Sequence, residues 1–344
     1  MLKSYMVIEP QRFNRIHMNH LSPIYKFYHH QLKDASSDQE AADLTKDFCF
    51  SYTHTKLEDQ LAVLEFLYMN DYFEELTTAL QWSHLHPDIV TLYRIVLERK
   101  TVPLTEKDLR ELEQIRFEHP SLQCIHLFLL VYAHFDMKKY AGMDKYTDEI
   151  HAALFKINEP LFHYYMKLRF DELTFHHYWK TNSLILAKKF AYKYIQTGLA
   201  PRKRATMHHN LALCHAFEDY SSAIHYATKA LQISEDHDLT ASAREIKHHT
   251  IPFLSAYHQR PERIYTHDPV EQAHLAISRG DVDTGIEILT SLERLSSFQE
   301  SYLGLATKDV AMLRNAKERF IKENGDYFFA QLPENYIKRI VKIV

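Results

Sequence analysis

Ala205 to Ile233 reads ATMHHNLALCHAFEDYSSAIHYATKALQI. Leu211 and Ala212 form a large-then-small pair on a first helical stretch, and Ala223, Tyr226, Ala230 and Leu231 recur at i, i+3, i+7 and i+8 on a second. Between them Glu218-Asp219-Tyr220-Ser221 supplies polar side chains able to cap a helix N-terminus. The spacing predicts an antiparallel helical hairpin of tetratricopeptide type. Upstream, Asn182-Ser183 precedes Leu184, Ala187, Phe190, Ala191 and Ile195 in the same rhythm. Ala223 follows Ala187 by 36 residues, close to the roughly 34-residue period of this repeat. A weaker copy is Gly280-Asp281 followed by Gly285, Ile288 and Leu289. Stacked hairpins build a superhelix whose groove binds peptides or proteins.

Outside these copies, Gln39–Phe50, Thr55–Met69, Tyr72–Trp82, Leu104–Phe117, Leu122–Phe135 and Tyr140–Ile157 carry helical periodicity, with Thr105 and Ser121 as expected caps. Prolines mostly fall between the periodic segments. The fold class is therefore all-α: a tetratricopeptide-like right-handed helical solenoid with a C-terminal capping and dimerisation block. HQRPERIYTHD, between Lys247 and Asp268, reads as a longer connection or hinge that sets off the last block. Residues 23–260 form the expected solenoid and 261–344 the C-terminal block. Residues 1–22 have room for one short helix, too little for a helix-turn-helix domain of three helices. Asn324-Gly325-Asp326 is expected to end one helix and Pro333-Glu334 to start the last. On that last helix Ile337, Ile340, Val341 and Val344 share an apolar face, an expected dimerisation stripe.

The six glycines among 344 residues are scattered and form no GxGxxG or GxxxxGK[ST] loop, so a nucleotide cradle has no support. A formal charge of −4 provides no global field for nucleic acid. Cys49, Cys124 and Cys214 are odd in number and far apart, which argues against a disulfide framework and for a reducing cytoplasm. No apolar run is long enough to span a membrane. The 24 histidines include adjacent pairs such as His208-His209, whose side chains diverge by about 100° on a helix, so they make poor joint metal ligands. HExxH and GxSxG are absent; no metal, no cofactor and no enzymatic activity is expected.

Arg202-Lys203-Arg204 opens the best repeat and opposes that helix's own dipole. It reads either as a solvated turn or as the counterpart of an anionic partner, a peptide carboxylate or an acidic side chain. His176 and Lys180 share a helix face, as do Arg204 and His215 on the next first helix.

Several stretches in order, LTKDFCFSY, YMNDYFEELTTAL, LYRIVLERKTVPLTEKDLRELEQI, NEPLFHYYMKLRF, SLILAKKFAYKYI, TGIEILTSLERL with SYLGLATKD, and GDYFFAQLP, make the chain resemble the arbitrium peptide receptors. These are tetratricopeptide quorum-sensing regulators of the phage lysis–lysogeny decision, related to the Rap proteins. The resemblance implies a cytoplasmic homodimer, in a bacterial host cell, whose solenoid takes a short hexapeptide-sized signalling peptide. It places the peptide-binding positions on His176, Lys180, Arg204, His215, Glu271, Gln272, Asp326 and Phe329. His176, Lys180 and His215 replace asparagines common in the family. Arg204 is expected to oppose an anionic group of the peptide and Asp326 a cationic one. Familiar members carry an N-terminal helix-turn-helix domain that residues 1–22 cannot supply, so the expected output is a peptide-switched regulatory protein partner rather than direct DNA binding. The alternatives are a Rap-like response-regulator phosphatase or inhibitor, and a DNA-binding transcriptional regulator.

Overall fold

The computed structural model describes residues 19–197 and 200–343. Every regular element among them is helical. Most of the stretch 1–22, with its expected short helix, and Val344 of the expected dimerisation stripe lie outside the described residues. The chain divides into two compact units, and the division falls inside one helix, between Leu173 and Thr174.

The first unit holds α1 (Pro23–Asp34), α2 (Asp38–Ser51), α3 (Leu57–Met69), α4 (Phe73–Ala79), α5 (Pro87–Glu98), α6 (Glu106–Gln114), α7 (Pro120–Asp136), α8 (Thr147–Leu154) and the first part of α9 (Pro160–Lys180). Helix α3 is buried on all sides from Asp59 to Met69, as expected of an element apolar around most of its circumference. Thr105 caps α6 in a reciprocal capping box with Asp108. Ser121 does not cap α7. Pro120 occupies the first helical turn, where its missing N–H does no harm, so the cap moves back to His119, whose Nδ1 accepts from Ser121 N at 3.3 Å. The single periodic stretch expected over 140–157 is a 3-10 turn, Tyr140–Gly142, followed by the shorter α8.

The second unit holds the end of α9, then α10 (Leu184–Ile195), α11 (Pro201–Cys214), α12 (Tyr220–Asp236), α13 (Thr240–Glu245), a π-helix (Ile246–Thr250) and α14 (Ile251–Tyr257). It continues through α15 (Pro269–Arg279), α16 (Val282–Thr290), α17 (Ser297–Thr307), α18 (Val310–Lys322) and α19 (Gln331–Ile343). Helices α11 and α12 pair as the hairpin the sequence predicts: Leu211, Ala212, Ala223 and Ala230 are fully buried, and Asp219 accepts from Ser221 N and Ser222 N. The small residues let the two backbones approach closely. A Cβ at Gly285 would stand 2.5 Å from Ile277 Cγ1, so the α15–α16 pair also depends on a missing side chain.

The π-helix has a local cause. Pro252 has no N–H to offer the carbonyl four residues back, and that carbonyl, of His248, instead accepts from Thr266 Oγ1 at 2.6 Å. The same bond ties down the connection that the sequence reads as a hinge. Arg279 fastens it again through Nη2, to Pro261 O at 3.1 Å and Ile264 O at 2.7 Å. With α14 packed on α15, residues 260 and 261 lie inside one compact unit, and the break in contacts comes earlier, in α9. Helix α19 starts at Gln331, two residues ahead of Pro333, which its first turn accommodates.

Candidate functional site

All eight expected peptide-binding residues belong to the second unit. They fall into three neighbourhoods there, each with a buried side-chain atom that meets no hydrogen-bond partner among the described residues: Arg204 Nε in the first, Trp179 Nε1 in the second and Glu271 Oε2 in the third.

The first neighbourhood is a stripe along α11. Arg204, His208 and His215 recur at intervals of four and seven, one face of the helix. The rings of His208 and His215 stack on Tyr226 of α12 at 6.1 and 5.6 Å, with interplanar angles of 19° and 16°. The Tyr226 hydroxyl meets that of Tyr192 on α10 at 2.9 Å. Burial, reinforced by Lys229, Arg204 and His225, drives the His208 pKa down to about 4. Burial and Lys188 lower that of His215, with Glu218 acting against them. Both imidazoles are thus neutral at pH 7.

His215 Nδ1 lies between Lys188 Nζ at 3.4 Å and Glu218 Oε2 at 3.5 Å, a donor and an acceptor. Among the described residues, buried His215 Nε2 meets no hydrogen-bond partner, and the same holds for His208 Nδ1 and Arg204 Nε. Lys188 also reaches Glu218, which neutralises it. Among the described residues Arg204 Nε meets no acceptor. A half-buried cation and unused imidazole nitrogens on one stripe form a recognition surface for a group with acceptors and negative charge.

The second neighbourhood gathers Lys180, Asp326 and Phe329. Lys180 Nζ donates to Asp326 Oδ2 at 2.7 Å, and Asp326 Oδ1 accepts from Phe329 N at 2.9 Å. The carboxylate expected to face a ligand cation is therefore engaged by the chain's own lysine. Phe329 is buried among the rings of Trp179, Phe217, Phe253, Phe298 and Phe328. His176 sits beside Trp179, ring centres 6.1 Å apart.

In the third neighbourhood Glu271 accepts from Tyr302 OH at 3.1 Å. His274 stacks on Tyr302 at 3.8 Å and shares a 2.7 Å hydrogen bond with Tyr336 OH. Glu271 is buried, and the exposed Gln272 donates to Thr266 O at 3.0 Å.

Sequence reasoning missed His208, Tyr226, Trp179 and Tyr140. The signal for His208 was present, since it lies one turn beyond Arg204 on the same face; reading it only as half of the His208-His209 pair hid it. The divergence of that pair is real: His209 turns toward Thr250, 2.6 Å from Nε2 to Oγ1. Among the described residues no group of three or more His, Cys, Asp or Glu is placed to hold a metal ion. No helix among them is long and apolar enough to cross a membrane.

Packed helical pairs of tetratricopeptide type, carrying a cation and open imidazole nitrogens on one helix face, define a helical-repeat binding protein. The chain belongs to the AimR transcriptional regulator-like family, whose sequence model matches residues 41–339. That is a family of regulators, not of enzymes. Among solved structures, phAimR with its ligand superposes with a TM-score of 0.73 at 17% identity, over 92% of this chain and 96% of that one. Selenomethionine phAimR gives a TM-score of 0.65 at 16% identity, over 90% and 83%. No curated protein matches significantly.

Proposed function

We propose that this chain is an intracellular receptor for a short, phage-encoded signalling peptide, and that peptide binding switches its interaction with a regulatory protein partner in a lysis–lysogeny decision. The observation that carries the reading is the α11 stripe, where Arg204, His208 and His215 hold buried nitrogens without partners. A peptide in extended form supplies what they lack, carbonyl acceptors along its backbone and a terminal carboxylate. Membership of a transcriptional regulator-like family supports a regulatory output. So does the structural likeness to phAimR, solved with a ligand. The working unit is a homodimer joined through the outer face of α19, where Ile337 and Ile340 are half-buried and Val341 is 62% exposed.

The experiment is calorimetric titration of the full chain with synthetic peptides copied from the C-terminal ends of short secreted reading frames beside its gene. Binding of one at micromolar concentration or tighter is the expected outcome. Absence of binding by all of them would sink the receptor reading.

A further inference from the structure

The second unit contains a cation site. Lys180 Nζ stands 2.7 Å from Asp326 Oδ2, with only 6% and 5% of the two side chains exposed. The ammonium also lies 4.1 Å from the ring centre of Trp179, 4.3 Å from Tyr140 and 5.0 Å from Phe329. One carboxylate among aromatic faces is the arrangement that selects a cation out of water. Its walls are fixed independently of the lysine side chain. Asp326 N donates to Phe320 O at 2.9 Å, and Gly325, at φ +67°, turns the chain so close to Ala141 that a Cβ would come within 2.7 Å of Ala141 N. Tyr327 N reaches the backbone oxygen of Lys180 at 2.9 Å.

Charge accounting around the expected peptide positions gives the consequence. Lys180 cancels Asp326 and Lys188 cancels Glu218, Glu271 lies 3.5 Å from His274 with its Oε2 unmet, and Arg204 Nε meets no partner among the described residues. A ligand bringing a basic side chain would find Asp326 taken, and displacing Lys180 would leave a buried ammonium without its anion. We propose that Asp326, Trp179, Tyr140 and Phe329 form a cation site that the chain fills with its own Lys180, so that the peptide it takes offers an anionic group to Arg204 and places no basic side chain at Asp326. The peptide half of this inference rests on the receptor reading above; the cation-site half does not.

Two arms test it on the full chain. In the first, Lys180→Ala removes the equivalent of n-propylammonium, and n-propylammonium chloride is added back. The melting temperature of Lys180→Ala is expected to rise saturably with the amine but not with n-propanol or with sodium chloride at equal ionic strength. Neither the unsubstituted chain nor Lys180→Met/Asp326→Asn should respond. Should Lys180→Ala fail to fold, its refolding yield with and without the amine reads the same site. An equal response in Lys180→Ala and the double variant, or none in either, overturns the cation site. In the second arm the immobilised unsubstituted chain is offered two synthetic hexapeptide pools with free C-termini, alike except that one carries a single arginine or lysine where the other carries norleucine. The basic pool is expected to be retained at least about tenfold less, the value of one charge-assisted contact. Equal or better retention of the basic pool overturns the selectivity. If neither pool is retained, the receptor reading falls and the selectivity with it, while the amine arm still decides the cation site.

Discussion

Arg169 lays its guanidinium along Glu65 inside the first unit, Nε to Oε1 at 2.7 Å and Nη2 to Oε2 at 3.0 Å, with 4% and 0% of the side chains exposed. Tyr93 OH donates to the same carboxylate at 2.8 Å and Tyr132 OH accepts from Arg169 Nη1 at 2.9 Å, so the ions are paired and nearly every polar atom is met. Removing one partner leaves an uncompensated buried charge. Glu65→Ala is expected to destabilise the chain by about 3–5 kcal/mol, whereas Glu65→Met/Arg169→Met should cost far less. Chemical denaturation of both variants checks this; equal losses would show that the geometry, not the charge, is what matters.

His209 is half-buried against Thr250, and desolvation pushes its pKa down to about 4. A depressed folded value means that the unfolded chain binds more protons between about pH 6.5 and 4. The ring's contribution is therefore complete above about pH 6.5 and is lost as the pH falls through about 4. It amounts to roughly 3 kcal/mol for full titration. His209→Gln should flatten the acid limb of a stability–pH curve by that amount. Glu159 acts with the opposite sign, its pKa raised by burial to about 8, so the difference between unsubstituted and variant curves is the quantity to read. Parallel curves would mean that the ring titrates alike in the folded and the unfolded chain.

Tyr336 and Leu332 of α19 are fully buried, while Val341 looks outward. Deleting the chain from Pro333 would remove core as well as surface, so substitution is the cleaner probe of assembly. Ile340→Lys/Val341→Lys is expected to convert a dimer to a folded monomer in light scattering, because charge on an apolar two-fold face is repeated against itself. A dimer mass unchanged in the variant would place the subunit contact elsewhere.

The helices were legible where periodicity and local chemistry agree. Leu211, Ala212, Ala223 and Ala230 announce the α11–α12 hairpin, and Asp219 and Thr105 announce their caps. A one-residue competition misled the reading at Ser121, since Pro120 claims the first turn. The π-helix was invisible because its cause, the carbonyl orphaned by Pro252, is answered by Thr266 from outside the helix. The candidate site was legible only in part. Arg204 and His215 follow from helical spacing, but the ring that joins them to His208 is Tyr226 on the next helix. The partner that takes Asp326 out of reach is 146 residues away in sequence. Nothing local specifies either contact.

Arg204 carries the sharpest prediction about ligand chemistry. Its Nε is buried without a partner, and its charge helps to depress the His208 pKa. An anionic ligand group placed there would gain a charge-assisted hydrogen bond worth about 1.5–3 kcal/mol. Arg204→Ala should weaken peptide binding by roughly 10- to 150-fold with helical content unchanged by circular dichroism. It should also raise the His208 pKa in an NMR titration of the free protein. Which anion Arg204 holds is then decided by a cycle with C-terminally amidated peptide. If it holds the terminal carboxylate, amidation hurts the unsubstituted chain far more than Arg204→Ala, because the second loss is already incurred in the variant. Equal losses in both proteins, measured by titration calorimetry, would assign the carboxylate to another donor. His215 would be the next residue to test, because it lies on the same face of α11 and its buried Nε2 meets no partner among the described residues.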